Sequence, residues 1–368
     1  MNQLVKLLLA VLALWVVPAS RLAAAGYFVD PQHPGASDAN PGTADKPWKT
    51  LARVGVAKEL KPGDTVYVKS IFRGLMTIKV NGDPAKPQAF EWSPPERYAP
   101  HSATPIEKAD VIADVAYGYK DGMAMTFDVL KPKQHANGAG ILCIQSGAWY
   151  SNHESVEHCA DVWQYMLSKG FTIFIVYHGS GTKYLLPEIV DDLHRAVRFI
   201  RANAARFGVD PQRLGAFGGS SGGHLTMMLA TTADDGDPKA KEELLRTSNR
   251  LAAAVAYFPP TDIRPWFTTN RWKDYLAFRF DPAIAGAYSP LLAVSPRTAP
   301  TLLIHGDKDL GVLLEHSEKM YAALEKNQVP SELMVIKGGG HGFGGMDSWN
   351  AMVARDAWFE KHLLPPKR

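Results

Sequence analysis

The 368-residue chain carries 40 basic and 37 acidic side chains, a net charge of +3, and is 46% hydrophobic. Near charge balance gives no electrostatic drive toward nucleic acid or anionic lipid, and the chain has no basic run interleaved with aromatics. The length and apolar content support one large core, with room for a smaller companion unit.

At the N-terminus, Lys6 precedes an apolar run from Leu7 to Val17. Pro18 breaks the run, and Ala23, Ala24 and Ala25 offer small residues at cleavage positions. This is the form of an export signal over residues 1–25, which would place the mature protein in the periplasm or outside the cell. The run falls short of the roughly 20 residues of a spanning helix, so no stable membrane insertion is expected. From Gly26 to about Tyr98 the sequence predicts a strand at Tyr27, a turn-rich loop near Asn40-Pro41-Gly42, a short helix and a second strand after Pro62-Gly63-Asp64. This stretch resembles the opening rung of a right-handed parallel β-helix of the pectate-lyase type. One or two rungs are too few to be stable alone. Pro94, Pro95, Pro100 and Pro105 then mark a boundary. The expected organisation is a β-rich segment over 26–105 and a catalytic domain over 106–368.

The second part opens with a predicted hairpin, Val111 to Tyr119 and Met123 to Leu130. Strands follow at Gly140–Ile144, Phe171–Tyr177 and Leu214–Phe217, with helices at Val156–Ser168 and Glu188–Phe207. Further strands are expected at Ala252–Phe258, Thr301–His305 and Glu332–Lys337, and a closing helix at Met346–Leu363. This alternation predicts a mostly parallel, doubly wound α/β sheet. Between two of these strands, Thr261–Ser289 is rich in aromatics, which suits either a pocket wall or a packing module.

The most informative stretch runs from Leu214 to Leu225. It places Gly218-x-Ser220-x-Gly222 between an apolar run and an amphipathic one, the form of a nucleophile elbow. Glycines flank the serine because a Cβ there would collide with the adjoining strand and helix. The pattern also fits Gly219-x-Ser221-x-Gly223. Ser220 is preferred, because Gly222, Gly223 and His224 then open the helix and the Ser221 N–H is left to serve an oxyanion hole.

A serine needs a base, and the base needs an orienting acid. In this elbow architecture they follow in the order Ser, Asp or Glu, His. One strand runs into the turn His305-Gly-Asp307-Lys-Asp309 and the next into Gly338-Gly-Gly-His341. Both follow a strand's C-terminal end, where active groups gather in open α/β sheets. Asp307 and Asp309 are both candidates for the acid. His305 and His224 read as structural.

Together with Asp191-Asp192 and Phe207-Gly208-Val209, these motifs make the chain from about Asp110 onward resemble a bacterial α/β-hydrolase of the esterase/lipase type. It is similar to small carboxylesterases that include acetyl- and feruloyl-esterases. The resemblance implies the α/β-hydrolase fold, with Ser220 as nucleophile, Asp309 as acid and His341 as base. It also implies an oxyanion loop after the strand at Gly140–Ile144. The family has a His-Gly-Gly pattern there, whereas this chain reads Gln145-Ser146-Gly147-Ala148-Trp149. Gly147 and Ala148 keep close backbone approach possible, so the expected donors are the amides of Gly147, Ala148 and Ser221. A second departure is His178, which follows Tyr177 where the family has arginine.

The implied activity is hydrolysis of a small or polysaccharide-linked carboxylic ester through an acyl-enzyme, with no cofactor. Two alternatives are a serine peptidase of prolyl-oligopeptidase-like type and a non-catalytic carbohydrate-binding or scaffold protein on the same fold. No metal spacing is present: His153 and His158 do not share one helical face. The two cysteines, Cys143 and Cys159, could pair in an oxidising compartment or remain buried thiols.

Overall fold

The computed structural model describes residues 25–30, 33–49, 53, 57–61, 64–70, 74–80, 90–93, 109–151, 153, 159, 162–181 and 183–365. The expected export signal, Ala25 apart, lies outside these residues. So do the proline-rich junction and residues 156–158, 160 and 161 of the helix expected at Val156–Ser168. The chain divides into two compact units, Met1–Pro100 and His101–Arg368.

The first unit is a four-stranded sheet of β1 (Gly26–Val29), β2 (Thr65–Ser70), β3 (Gly74–Val80) and β4 (Phe90–Ser93), in that order. β1 and β2 pair in parallel, as successive rungs of a β-helix would, but β2–β3 and β3–β4 are antiparallel. Trp48 is fully buried, stacks on Tyr27 at 5.2 Å, and donates its indole N–H to the Asn40 carbonyl at 2.8 Å. The Asp64 carboxylate accepts the Ala25 and Lys61 amides, each at 2.8 Å, and so ties the loop before β2 to the start of β1.

The second unit is built on an eight-stranded sheet. Its strands are β5 (Ala109–Lys120), β6 (Met123–Pro132), β7 (Gly140–Ile144), β8 (Thr172–Val176), β9 (Leu214–Gly219), β10 (Ala253–Tyr257), β11 (Thr301–Gly306) and β12 (Ser331–Ile336). Their spatial order is β12-β11-β10-β9-β7-β8-β6-β5. The six strands from β12 to β8 are parallel, and the β5–β6 hairpin is antiparallel at one edge. β7 and β8 are buried along their whole length, which accounts for their unbroken apolar sequences.

Helices cover both faces. α1 (Gln164–Ser168) and α7 (Gly345–Leu363) meet on one face, where the Tyr165 hydroxyl bonds Glu360 at 2.5 Å and the Arg355 guanidinium lies 3.9 Å from the Trp163 ring centre. α2 (Leu186–Ala202) and α4 (Ser221–Thr231) share the other core with α6 (Glu315–Lys326). α2 buries Leu186, Ile189, Leu193, Ala196, Val197 and Ile200, the stripe of an amphipathic helix. The single helix expected at Glu188–Phe207 is two. Asn203 leaves helical geometry, its side chain donates to the Phe199 carbonyl at 2.9 Å, and α3 (Ala204–Phe207) follows. A side-chain amide that bonds the preceding turn competes with the backbone ladder. The sequence pattern does not predict α6; its buried face is only Ser317, Met320 and Leu324, too sparse to give a strong apolar period.

Because β7, β9, β11 and β12 run parallel, the loops that leave them emerge at one sheet edge. The expected nucleophile, acid, base and oxyanion donors all lie on those loops.

Candidate active site

Ser220 sits between β9 and α4 with φ 54° and ψ −120°, a conformation costly for any residue with a Cβ. Two backbone bonds hold it there: its N–H donates to the Tyr257 carbonyl, and its carbonyl accepts the His224 N–H, both at 2.9 Å. The turn requires its glycines. A Cβ on Gly218 would stand 2.3 Å from the Gly222 carbonyl oxygen, and one on Gly222 would stand 2.8 Å from the Ile144 carbonyl oxygen. Ser221 is instead buried in the first turn of α4, its hydroxyl 3.1 Å from that of Ser146. The strained, presented serine is therefore Ser220.

The Ser220 hydroxyl lies 2.9 Å from Nε2 of His341, whose Nδ1 is 2.8 Å from Oδ2 of Asp309. A carboxylate accepts, so Nδ1 carries the proton and Nε2 is left to take the serine's. Asp309 is almost fully buried, and its other oxygen accepts the Gly311 and Val312 amides at 2.7 and 2.8 Å. Asp307 instead accepts the Gly338 amide at 2.5 Å and so anchors the loop that carries His341.

Other groups complete this end of the site. His305 is fully buried, and burial holds its imidazole below the usual histidine range. Its Nε2–H donates to the Val312 carbonyl at 2.8 Å and lies 3.3 Å from Asp309, while Nδ1 accepts the Ser317 hydroxyl at 2.7 Å. It is structural, as the sequence implies, but it supports the turn around the acid directly. Phe258, at φ 36°, packs its ring 4.7 Å from that of His341. Gly311 faces the same imidazole: a Cβ there would lie 3.0 Å from the His341 ring. Sequence reasoning misses both residues, because neither belongs to the triad motifs.

The oxyanion loop requires a correction. Gly147 and Tyr150 exchange both backbone hydrogen bonds, Gly147 N–H to Tyr150 O at 2.9 Å and the reverse at 2.8 Å. Ala148 and Trp149 between them have φ 50° and 62°, the signs of a type I′ hairpin turn. The Gly147 N–H is thus already bonded within the turn and is not a free oxyanion donor. Among the described residues, the Ala148 and Trp149 amides have no protein acceptor. The loop's root lies against the elbow through the Ser146–Ser221 hydroxyl contact. Gln145 does not line this turn; its amide points to the Cys159 sulfur at 3.7 Å and its carbonyl accepts the Ser151 hydroxyl at 2.7 Å.

The aromatic stretch between β10 and β11 is chiefly a packing module. Trp266 and Phe278 are buried, and Phe267, Trp272, Tyr275, Phe280 and Tyr288 pack against the core while partly buried. Trp266, Tyr275 and Phe278 pack their rings on Trp149, with Phe278 at 4.5 Å and Tyr275 at 5.2 Å. His178 is buried. Its Nδ1–H donates to the Gly179 carbonyl at 2.7 Å, and burial pushes its pKa down to about 4. Cys143 and Cys159 are buried and not disulfide-bonded. Among the described residues, no cluster of His, Cys, Asp and Glu is arranged to hold a metal, and no helix is long and apolar enough to cross a membrane.

The arrangement can present an activated alkoxide to an electrophilic carbon. The chain is similar in sequence and fold to proteins named as esterases. Esterase LipC of Mycobacterium tuberculosis is 26% identical over 275 residues, covering 70% of this chain and 66% of LipC. Ethyl acetate hydrolase of Pseudomonas putida is 27% identical, over 66% of this chain and 78% of its own. Esterase 2 of the planctomycete Thermogutta terrifontis, solved with propionate bound, superposes with a TM-score of 0.58 at 25% identity, covering 72% of this chain and 98% of its own. The chain spans two thirds or less of the first curated relatives it matches, 66%, 55% and 41% of their lengths. A family model described as BD-FAE matches residues 127–324, a span that holds Ser220 and Asp309 and more than half of the chain. On this match, and on an α/β-hydrolase fold that brings Ser220, His341 and Asp309 into one hydrogen-bonded line, the chain belongs to the BD-FAE family.

Proposed function

We propose that the protein is a serine carboxylic ester hydrolase. The observation that carries this reading is the continuous chain Ser220–His341–Asp309, at 2.9 and 2.8 Å, on a serine held in elbow geometry. His341 Nε2 takes the Ser220 proton as Oγ attacks the ester carbonyl, and Asp309 stabilises the imidazolium that forms. The developing oxyanion is held by the Ser221 and Ala148 amides. His341 then protonates the departing alcohol, and water returns through the same base to release the acid from the acyl-enzyme.

The finer reading is a short acyl group on a carbohydrate alcohol, cleaved outside the cytoplasm. Support comes from the likeness to acetyl- and feruloyl-esterases, from the propionate bound by Thermogutta terrifontis esterase 2, and from the Lys6, Leu7–Val17 and Ala23–Ala25 pattern. Hydrolysis of 4-nitrophenyl acetate by wild type and by Ser220→Ala tests the chemistry. The variant should fold normally and lose at least about 10⁴-fold in kcat. Residual activity within tenfold of wild type would remove Ser220 from the nucleophile role. Acetate release from acetylated xylo-oligosaccharides and N-terminal sequencing of the exported protein test the finer points.

A further inference from the structure

The turn that carries the Ala148 amide is strained, with two consecutive non-glycine residues at positive φ. Such a turn persists only where its surroundings determine it. Its second residue, Trp149, is almost fully buried and donates its indole N–H toward Nδ1 of His224 at 3.4 Å. His224 is fully buried in the first turn of α4, and its Nε2 lies 2.9 Å from the Tyr288 carbonyl. A carbonyl can only accept, so Nε2 carries the proton and Nδ1 is the acceptor that the indole requires. Burial pushes the His224 pKa down to about 4, which keeps this tautomer neutral at physiological pH. The Trp149 carbonyl is held separately by the Gly181 N–H at 2.9 Å.

We propose that His224 is a positioning residue for the oxyanion turn. Four residues after the nucleophile, on the helix that the elbow opens, it ties the Trp149 indole on one side to the Tyr288 backbone on the other. The helix that follows Ser220 thereby sets the place of the turn that carries the Ala148 amide. This deepens the reading of the protein as a serine esterase and rests on it. A loosened turn costs stabilisation of the oxyanion, which exists only near the transition state, so the loss falls on kcat and not on KM.

The test uses the full-length protein with 4-nitrophenyl acetate and a trifluoromethyl ketone that forms a tetrahedral adduct with the serine. His224→Leu fills the site without hydrogen bonds. Its kcat should fall at least about tenfold with KM within twofold of wild type, and its affinity for the ketone should fall in parallel. A full missing donor would cost about 10²–10³. His224→Gln, which can accept and donate at the same two places, should recover most of the loss. Trp149→Phe removes the indole donor and trims the buried ring. It should give the same split as His224→Leu, and the double variant should be no worse than either. If His224→Leu does not fold, Trp149→Phe decides. A folded variant with kcat within threefold of wild type, or a kcat loss without loss of ketone affinity, would overturn the proposal. Inactive wild type would instead overturn the esterase reading.

Discussion

Asp307 and Asp309 stand two residues apart on one turn, yet what each side chain holds separates them. Asp309 faces Nδ1 of His341 and sets its tautomer, whereas Asp307, among the described residues, accepts the Gly338 amide. Asp309→Asn would present an amide donor to Nδ1 and favour the wrong tautomer. By analogy with the serine-protease case, kcat should fall about 10⁴-fold. Asp307→Asn keeps an oxygen for the Gly338 amide and should stay within tenfold. Steady-state kinetics on the two variants checks this, and the reverse result would exchange their roles. Gly147 also shows how position decides a residue's weight. Its N–H is taken by Tyr150, and a Cβ on it would meet nothing within 4 Å. A larger side chain there would enter open space and leave the turn in place.

At the scale of elements, the stretch between β10 and β11 consists of short helical pieces without a regular apolar period. It includes α5 (Arg264–Thr268) and a 3₁₀ turn at Leu276–Phe278. Its coherence comes from rings that pack on Trp149 and on one another. Phe278 is fully buried at the centre of this group. Phe278→Ala should cost about 3–5 kcal/mol of stability through the cavity it leaves. Urea denaturation measures this directly. A stable Phe278→Ala variant with an altered KM would show instead that the stretch is a substrate wall.

For the whole molecule, five buried or half-buried histidines link stability to pH. His178, His194, His224, His316 and His362 are each pushed down to about 4 by burial. In the unfolded chain a histidine titrates near 6.5. Between these values the unfolded state binds protons that the folded state does not, so stability is full above about pH 6.5 and is lost as pH falls toward 4. Each group contributes a slope of up to about 1.4 kcal/mol per pH unit in that window, and half-buried His362, screened by solvent, contributes less. The urea midpoint should therefore drop steeply between pH 7 and pH 5. His316 accepts the Thr261 amide at 3.1 Å through Nδ1, and His316→Asn should make the dependence shallower. A midpoint constant from pH 7 to pH 5 would contradict this account.

The alternation of strands and helices is legible in the sequence, because buried parallel strands such as Gly140–Ile144 and Thr172–Val176 must be apolar on both faces. The elbow is legible too, since Gly218 and Gly222 answer to clashes with backbone that the local turn brings close. The order of Ser220, Asp309 and His341 follows from the elbow's architecture, and the preference for Asp309 over Asp307 comes from family resemblance. Only the tertiary structure decided which of two aspartates meets His341, which loop amides are spent within their own turn, and that Trp149 and His224 belong together. The break at Asn203 and the helix at Glu315–Lys326 were likewise hidden. In each case the deciding partner is remote in sequence or the local signal is weak: Trp149 and His224 lie 75 residues apart, and α6 buries only three side chains. Local stereochemistry is written in neighbouring residues, whereas a hydrogen bond's partner is chosen by the fold that brings the two groups within reach.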